Sequence, residues 1–207
     1  MALILRYAAR SDVGKSRSKN DDSAYAGHHL AVVADGMGGH AGGDVASAST
    51  VLDLVHLDRG DHEDPANVLA DEIQTANSIL SELVQTSPKL AGMGTTVTAL
   101  LLHDDRLEFA HIGDSRAYSF TDGVLDQISK DHSVIQELID AGEIEQRPDA
   151  QDRANRGNIE IQHCCGIKRY EQRAACARQA VPLVSRRLGE KGRRRRPEGT
   201  GADAGRP

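Results

Sequence analysis

A chain of 207 residues, 39% of them hydrophobic, is long enough for one domain with a core, or for one domain and a tail. The net charge of −6 hides a division: 10 basic and 24 acidic side chains up to Glu145, then 15 basic and 7 acidic from Gln146 onward. No apolar run nears the ~20 residues needed to span a membrane, Met1 to Leu5 is too short for a signal-peptide core, and three cysteines (Cys164, Cys165, Cys176) argue against a secreted disulfide framework. A cytoplasmic protein with no membrane segment is therefore expected, and the acidic part repels nucleic acid at long range.

In chain order, Leu3 to Ala9 alternates weakly and predicts an opening or edge strand, followed by a polar loop from Ser11 to Asp22. Ala24 to Ala34 predicts two strands broken at Gly27-His28. Val45, Ala48, Leu52 and Val55 recur at helical spacing, which predicts an amphipathic helix from Asp44 to Leu57. A second helix, starting at Pro65 and ending before Pro88, is marked by Val68, Leu69, Ile73, Ala76, Leu80 and Leu83. Strands follow over Thr95–Leu102, Leu107–Ile112, Ala117–Phe120 and Val124–Ile128, with turns at His103-Asp104-Asp105 and Asp122-Gly123. Ser133 to Ala141 reads as a third helix with Gly142 as its stop. Strands, two consecutive helices and then hairpins are not βαβ alternation, so an α+β layered sheet is expected. After Ile144 the periodicity fails; only Ala174 to Leu188 hints at a helix.

The chemistry gathers at strand ends. The run His29 to Ala34 delivers Asp35-Gly36-Met37-Gly38-Gly39-His40, a carboxylate beside bare backbone, which suits a divalent ion held by oxygen. A second acidic turn, Gly113-Asp114-Ser115-Arg116, follows Leu107–Ile112, and Asn20-Asp21-Asp22 adds a third. Mn²⁺ or Mg²⁺ is expected, because no His/Cys cluster with zinc spacing is present. Hydrolysis of a phosphate ester also needs a guanidinium for the dianion, and Arg17 is the candidate.

Five segments carry a family resemblance: Arg17-Ser18-Lys19-Asn20-Asp21-Asp22-Ser23, Asp35 to His40, Gly92-Met93-Gly94-Thr95-Thr96, Gly113 to Arg116, and Ser129-Lys130-Asp131-His132-Ser133. Together they resemble the metal-dependent type 2C serine/threonine protein phosphatases, the PPM family, in its bacterial branch, over Leu3 to Ile144. The resemblance implies an α-β-β-α sandwich of two antiparallel sheets flanked by helices. It implies hydrolysis of phosphoserine and phosphothreonine by a metal-activated water, with two and in some members three Mn²⁺ or Mg²⁺ ions. Asp35 becomes the bridging carboxylate and the Gly36 carbonyl a further ligand. Asp21 replaces the family's Glu, one methylene shorter; Asp22 acts through water, and Asp114 holds the third ion. Arg17 binds substrate phosphate. Met37 stands where several members place a histidine as general acid; His40 is a candidate substitute, and the identity of the general acid stays open. Phosphorylated proteins, Ser/Thr kinases and the kinases' substrates are the implied partners.

The sequence departs from the family downstream. The Ser-Asp-Gly-Leu-type strand end, the late Asp-Asn pair and the His-Pro flap do not occur after Glu145. Residues 1–145 are therefore expected to be the N-terminal part of a phosphatase domain, with the C-terminal strands missing. Residues 146–207 are expected to be a divergent, disordered basic tail, the product of truncation or a frameshift. The alternative reading is a catalytically inactive fragment that acts at most as a binding module. Nucleic-acid binding through Arg193 to Arg196 is disfavoured, since neither aromatic partners nor a folded platform accompany the run. His111 reads as a core histidine, His132 as a structural hydrogen-bond partner, and Gly94 to Thr96 as packing residues beside the site.

Overall fold

The computed structural model describes residues 4–13, 18–38, 42–60, 62–104, 106–142, 166–170 and 183–184. The chain order is β1 (Asp22–Ala26), β2 (Leu30–Met37), α1 (Gly43–Leu54), α2 (Pro65–Thr86), β3 (Gly94–Thr95), β4 (Val97–His103), β5 (Arg106–Ile112), β6 (Arg116–Thr121), β7 (Val124–Gln127), α3 (Val134–Asp140), β8 (Gly166–Tyr170) and β9 (Leu183–Val184), with 3₁₀ turns at Val55–Arg59 and Pro88–Leu90. The larger sheet runs β1-β2-β4-β5-β8, with β3 paired to the end of β2; the smaller runs β7-β6-β9. Every pairing is antiparallel. This is the expected α+β architecture.

Period-two alternation builds the core. Leu30, Val32 and Ala34 of β2 and Val97, Ala99 and Leu101 of β4 point to one face, where Val51, Leu54, Leu57, Leu69 and Ile73 cover them. On the opposite face Leu100 and Phe109, direct cross-strand partners, meet Ala117 of the smaller sheet. Each fully buried Leu or Ile is worth about 1.5–3 kcal/mol, so these two faces hold the layers together.

Local chemistry sets the ends. Asp64 caps α2, its carboxylate accepting from the Asn67 N–H at 3.3 Å, with Pro65 in the first helical turn. Ser133 caps α3 in the same way through the Gln136 N–H, and Gly142, at φ 74°, closes it. Asp58 locks the β1–β2 hairpin: Oδ1 accepts from His29 N–H (2.7 Å) and Leu30 N–H (2.9 Å), and Oδ2 from the Tyr25 hydroxyl (3.0 Å).

Three expectations are corrected. Ile4 to Ala9 forms no strand; Ile4 and Tyr7 are 75% and 61% exposed, and a segment that buries neither face gains nothing from pairing. Helix α1 turns a different face inward from the one its apolar spacing predicts. Ala46, Ser47, Thr50, Val51 and Leu54 are buried, whereas Val45 and Leu52 are exposed, because Ser47 has a hydrogen-bonding task below the helix. In the C-terminal stretch Gly166–Tyr170 pairs with β5 and Leu183–Val184 with β6; the latter falls in the hinted helix Ala174–Leu188 and is a strand there, and the other residues of 146–207 lie outside the described ones. Both add an edge to a sheet that otherwise ends in unpaired backbone.

His111, 4% exposed on β5, is a core histidine. Its Nδ1 lies 3.0 Å from the hydroxyl of Thr98, its register partner, and its ring stacks on Phe109 and tilts against His132. Burial, with the nearby His132, pushes its pKa down to about 4. The depressed value means that the unfolded chain takes up a proton near pH 6.5 that the folded chain refuses until about pH 4. Stability tied to His111 is thus complete above pH 6.5 and lost as pH falls from 6.5 to about 4, on the order of 3 kcal/mol in all. Thermal unfolding of the wild type is expected to weaken more steeply across that window than that of His111→Gln.

Candidate metal centre

The β1–β2 register places Asp22 opposite Asp35, and the Gly36 N–H donates to the Asp21 carbonyl at 3.1 Å. Four of the predicted residues, Asp21, Asp22, Asp35 and Gly36, thus share one sheet end. Asp35 is 6% exposed. Its backbone is held from both sides: the N–H donates to Thr96 Oγ1 at 3.0 Å, and the carbonyl accepts from the Thr96 N–H (2.9 Å) and Thr95 Oγ1 (3.1 Å).

Gly36 allows a close approach. A Cβ there would stand 1.9 Å from the Gly43 carbonyl oxygen and 2.6 Å from that of Asp21. The N-terminus of α1 presses on this bare backbone, and Ser47 fixes it by donating to the Asp21 carbonyl at 2.6 Å, with the Ser23 hydroxyl 2.9 Å away. Lys19 crosses the same end. Its Nζ is 2.8 Å from Asp44 Oδ2, in the first turn of α1, and 3.5 Å from Asp21 Oδ1. The Asp44 carboxylate raises the Lys19 pKa, and the ammonium in turn holds Asp44 below the usual carboxylate value.

Asp114 is half-buried in the turn after β5. Gly113 there has φ 103°, and a Cβ on it would meet Thr96 Cγ2 at 2.6 Å. The His132 N–H donates to the Gly113 carbonyl at 2.7 Å, and the Gly113 N–H donates to His132 Nδ1 at 3.3 Å, so His132 holds this turn. Thr96 Oγ1 also lies 2.8 Å from Ser115 Oγ. One buried hydroxyl thereby connects the turn of Asp35 to the turn of Asp114. Beyond it, Arg116 grips the buried Asp131 carboxylate through Nε and a terminal nitrogen, the shortest contact being 2.7 Å.

Arg17 and His40 lie outside the described residues. Among the described residues no three His, Cys, Asp or Glu side chains form a group that could hold a metal ion. The donors present are nevertheless of the hard oxygen kind that fits Mn²⁺ or Mg²⁺: the buried Asp35 carboxylate, the backbone carbonyl of Gly36 and the nearby Asp21. Sequence reasoning missed Lys19, Asp44, Ser47 and the Thr96–Ser115 contact. Lys19 was visible inside the Arg17–Ser23 segment, but its reach to a helix 25 positions away was not.

Comparison with known proteins gives the class. Residues 14–160 match the family model for protein phosphatase 2C. The chain belongs to that family. It is 49% identical over 147 residues to the serine/threonine protein phosphatase PstP of Mycobacterium tuberculosis, covering 70% of this chain and 28% of PstP. It is 36% identical over 148 residues to the serine/threonine phosphatase stp of Listeria monocytogenes, covering 65% and 58%. The crystal structure of the PstP catalytic domain in complex with two manganese ions superposes with a TM-score of 0.68 at 38% identity, over 87% of this chain and 73% of that one. The chain thus spans between about a quarter and three fifths of the length of these curated relatives. Among the described residues, no helix is long and apolar enough to cross a membrane.

Thr96→Val keeps the side-chain shape but leaves the Asp35 N–H and the Ser115 hydroxyl without their shared partner. Urea unfolding is expected to show a loss of about 1–3 kcal/mol, with Thr96→Ser close to wild type.

Proposed function

We propose that this chain carries the N-terminal part of a protein serine/threonine phosphatase domain in residues 1–145, acting on phosphoserine and phosphothreonine in proteins with Mn²⁺ or Mg²⁺. The observation that carries the reading is the buried carboxylate of Asp35, a residue whose backbone is bonded to Thr95 and Thr96, at a sheet end that also carries Asp21, Asp22 and bare Gly36. Family membership supports it.

Asp35, the Gly36 carbonyl and Asp21 would hold the ion, with Asp22 acting through water and Asp114 serving a further ion from the neighbouring turn. A divalent cation bound there supplies Lewis acidity, which neutralises phosphate charge and makes water a stronger nucleophile. The chain's own groups do the rest. Arg17 binds the phosphate oxygens bidentately, and His40 delivers a proton to the leaving seryl or threonyl oxygen. Thr96 keeps the two acidic turns at a fixed separation through its paired hydroxyl and backbone bonds. Ser/Thr kinases and their substrates are the partners this chemistry calls for, and a cytoplasmic location goes with it. Residues 146–207 belong, in this reading, to a divergent tail.

The second reading is an inactive fragment that binds phosphoproteins at most, and it rests on the sequence: the Ser-Asp-Gly-Leu-type strand end and the late Asp-Asn pair do not occur after Glu145. Release of phosphate from a phosphothreonine peptide separates the two. The first reading expects turnover that requires Mn²⁺ and falls roughly 100-fold or more, about 2.7 kcal/mol of barrier, in Asp35→Asn. A folded chain with no Mn²⁺-dependent turnover establishes the second.

A further inference from the structure

We propose that Lys19 is a built-in cation of the acidic site: its ammonium bridges Asp44 and Asp21, the latter a carboxylate that a divalent ion has to engage, so metal binding works against its charge. The inference rests on the metal-binding reading above and adds a determinant of affinity to it.

The geometry is that of a cation bridging two elements. Lys19 precedes β1, yet its Nζ reaches Asp44 on α1 at 2.8 Å and Asp21 at 3.5 Å. Asp21 has a side chain only 13% exposed, while the Lys19 side chain is 55% exposed. The anion is therefore fixed in the fold and the cation is attached from the solvent side. Such a partner can leave. A half-exposed ion pair is weakly bound, because water screens it and holding a long side chain still costs rotamer entropy.

The surrounding charge explains why a cation is held here at all. Asp21, Asp22, Asp35 and Asp44 all belong to this one end of β1, β2 and α1. Like charges so placed repel, and the α1 N-terminus compensates only part of that, since it amounts to about half a unit charge. Lys19 supplies a full positive charge at the Asp21–Asp44 gap. A divalent ion entering beside Asp21 gains the same carboxylate field but meets the ammonium as a like charge. Either the lysine swings out to solvent, giving up Asp44, or it stays and repels the ion. Both routes weaken metal binding relative to a neutral residue at position 19. A purely structural salt bridge makes a different prediction: its loss changes stability and leaves metal affinity alone.

The test is Mn²⁺ binding by the full chain, followed by calorimetry and by the electron paramagnetic resonance of free Mn²⁺, with circular dichroism to show that each variant is folded. Lys19→Met is expected to bind Mn²⁺ about three- to tenfold more tightly than wild type, the size of effect that one nearby exposed charge produces. Lys19→Gln, a second neutral variant that keeps a hydrogen-bond donor, should do the same, and Lys19→Arg should stay within about twofold of wild type. The gain should shrink at molar salt, where charges are screened beyond about 3 Å. Equal or weaker binding by both neutral variants, with Asp35→Asn still abolishing uptake, overturns the role of Lys19 and leaves the metal site standing. Absence of Mn²⁺ uptake above the Asp35→Asn control, in wild type and neutral variants alike, overturns the metal-site reading itself and this inference with it.

Discussion

The contact between helix α1 and the bare backbone of Gly36 is the constraint on which the acidic end of this molecule depends. With the Gly43 carbonyl where a Cβ of residue 36 would stand, only glycine allows the helix to begin there. The approach puts Ser47 within reach of the Asp21 carbonyl and Asp44 within reach of Lys19. It also turns the inward face of α1 from the apolar stripe of Val45 and Leu52 to one that includes Ser47 and Thr50. A polar residue on a buried helix face costs stability unless it is bonded, and Ser47 meets that condition by tying the helix to β1.

The same arrangement concentrates negative charge, which opposes folding. Two unit charges 4 Å apart interact by about 1 kcal/mol in water and about 4 kcal/mol at an effective dielectric of 20. Hydrophobic burial on the other side of β2 carries that load. Leu30, Val32 and Ala34 are fully buried on the face opposite to the one where the strand's odd-numbered side chains project. The strand therefore divides its work by parity up to its last residues: even positions anchor it, and Asp35 at the end presents a buried carboxylate. Thr95 and Thr96 complete the division, because they satisfy the Asp35 backbone without using its carboxylate.

Legibility in the sequence followed the same division. Helix α2 is announced by Pro65 and by the spacing of Leu69, Ile73, Ala76 and Leu80, four side chains that are buried. The Asp122-Gly123 turn is equally plain, since Asp122 and Gly123 both adopt positive φ, at 52° and 85°. Short-range chemistry of this kind is written in adjacent residues. The face of α1 was not, because it depends on a hydroxyl meeting the carbonyl of Asp21, 26 residues earlier. Nor was the Asp58 clamp on His29 and Leu30, or the bridge from Thr96 to Ser115: an isolated Asp, Thr or Ser has no periodicity to read. The carboxylates Asp21, Asp35 and Asp114 were recognisable as candidates because each stands beside a turn or a glycine, whereas the cation among them required the fold.

That cation bears on how folding and ligand binding are joined in this protein. A ion that binds only the folded chain stabilises it by RT ln(1 + [L]/Kd). At a site already neutralised in part by Lys19, the ion returns less stability than at an uncompensated one, because the energy of removing the ammonium from Asp44 and Asp21 is subtracted from the binding. In exchange, the carboxylates are not left to repel one another in the metal-free state. An internal counter-ion thus moves stability from the loaded form to the empty one. The chain has to fold around Asp21, Asp22, Asp35 and Asp44 before any ion arrives, and the ammonium of Lys19 is the charge that meets two of them at that stage.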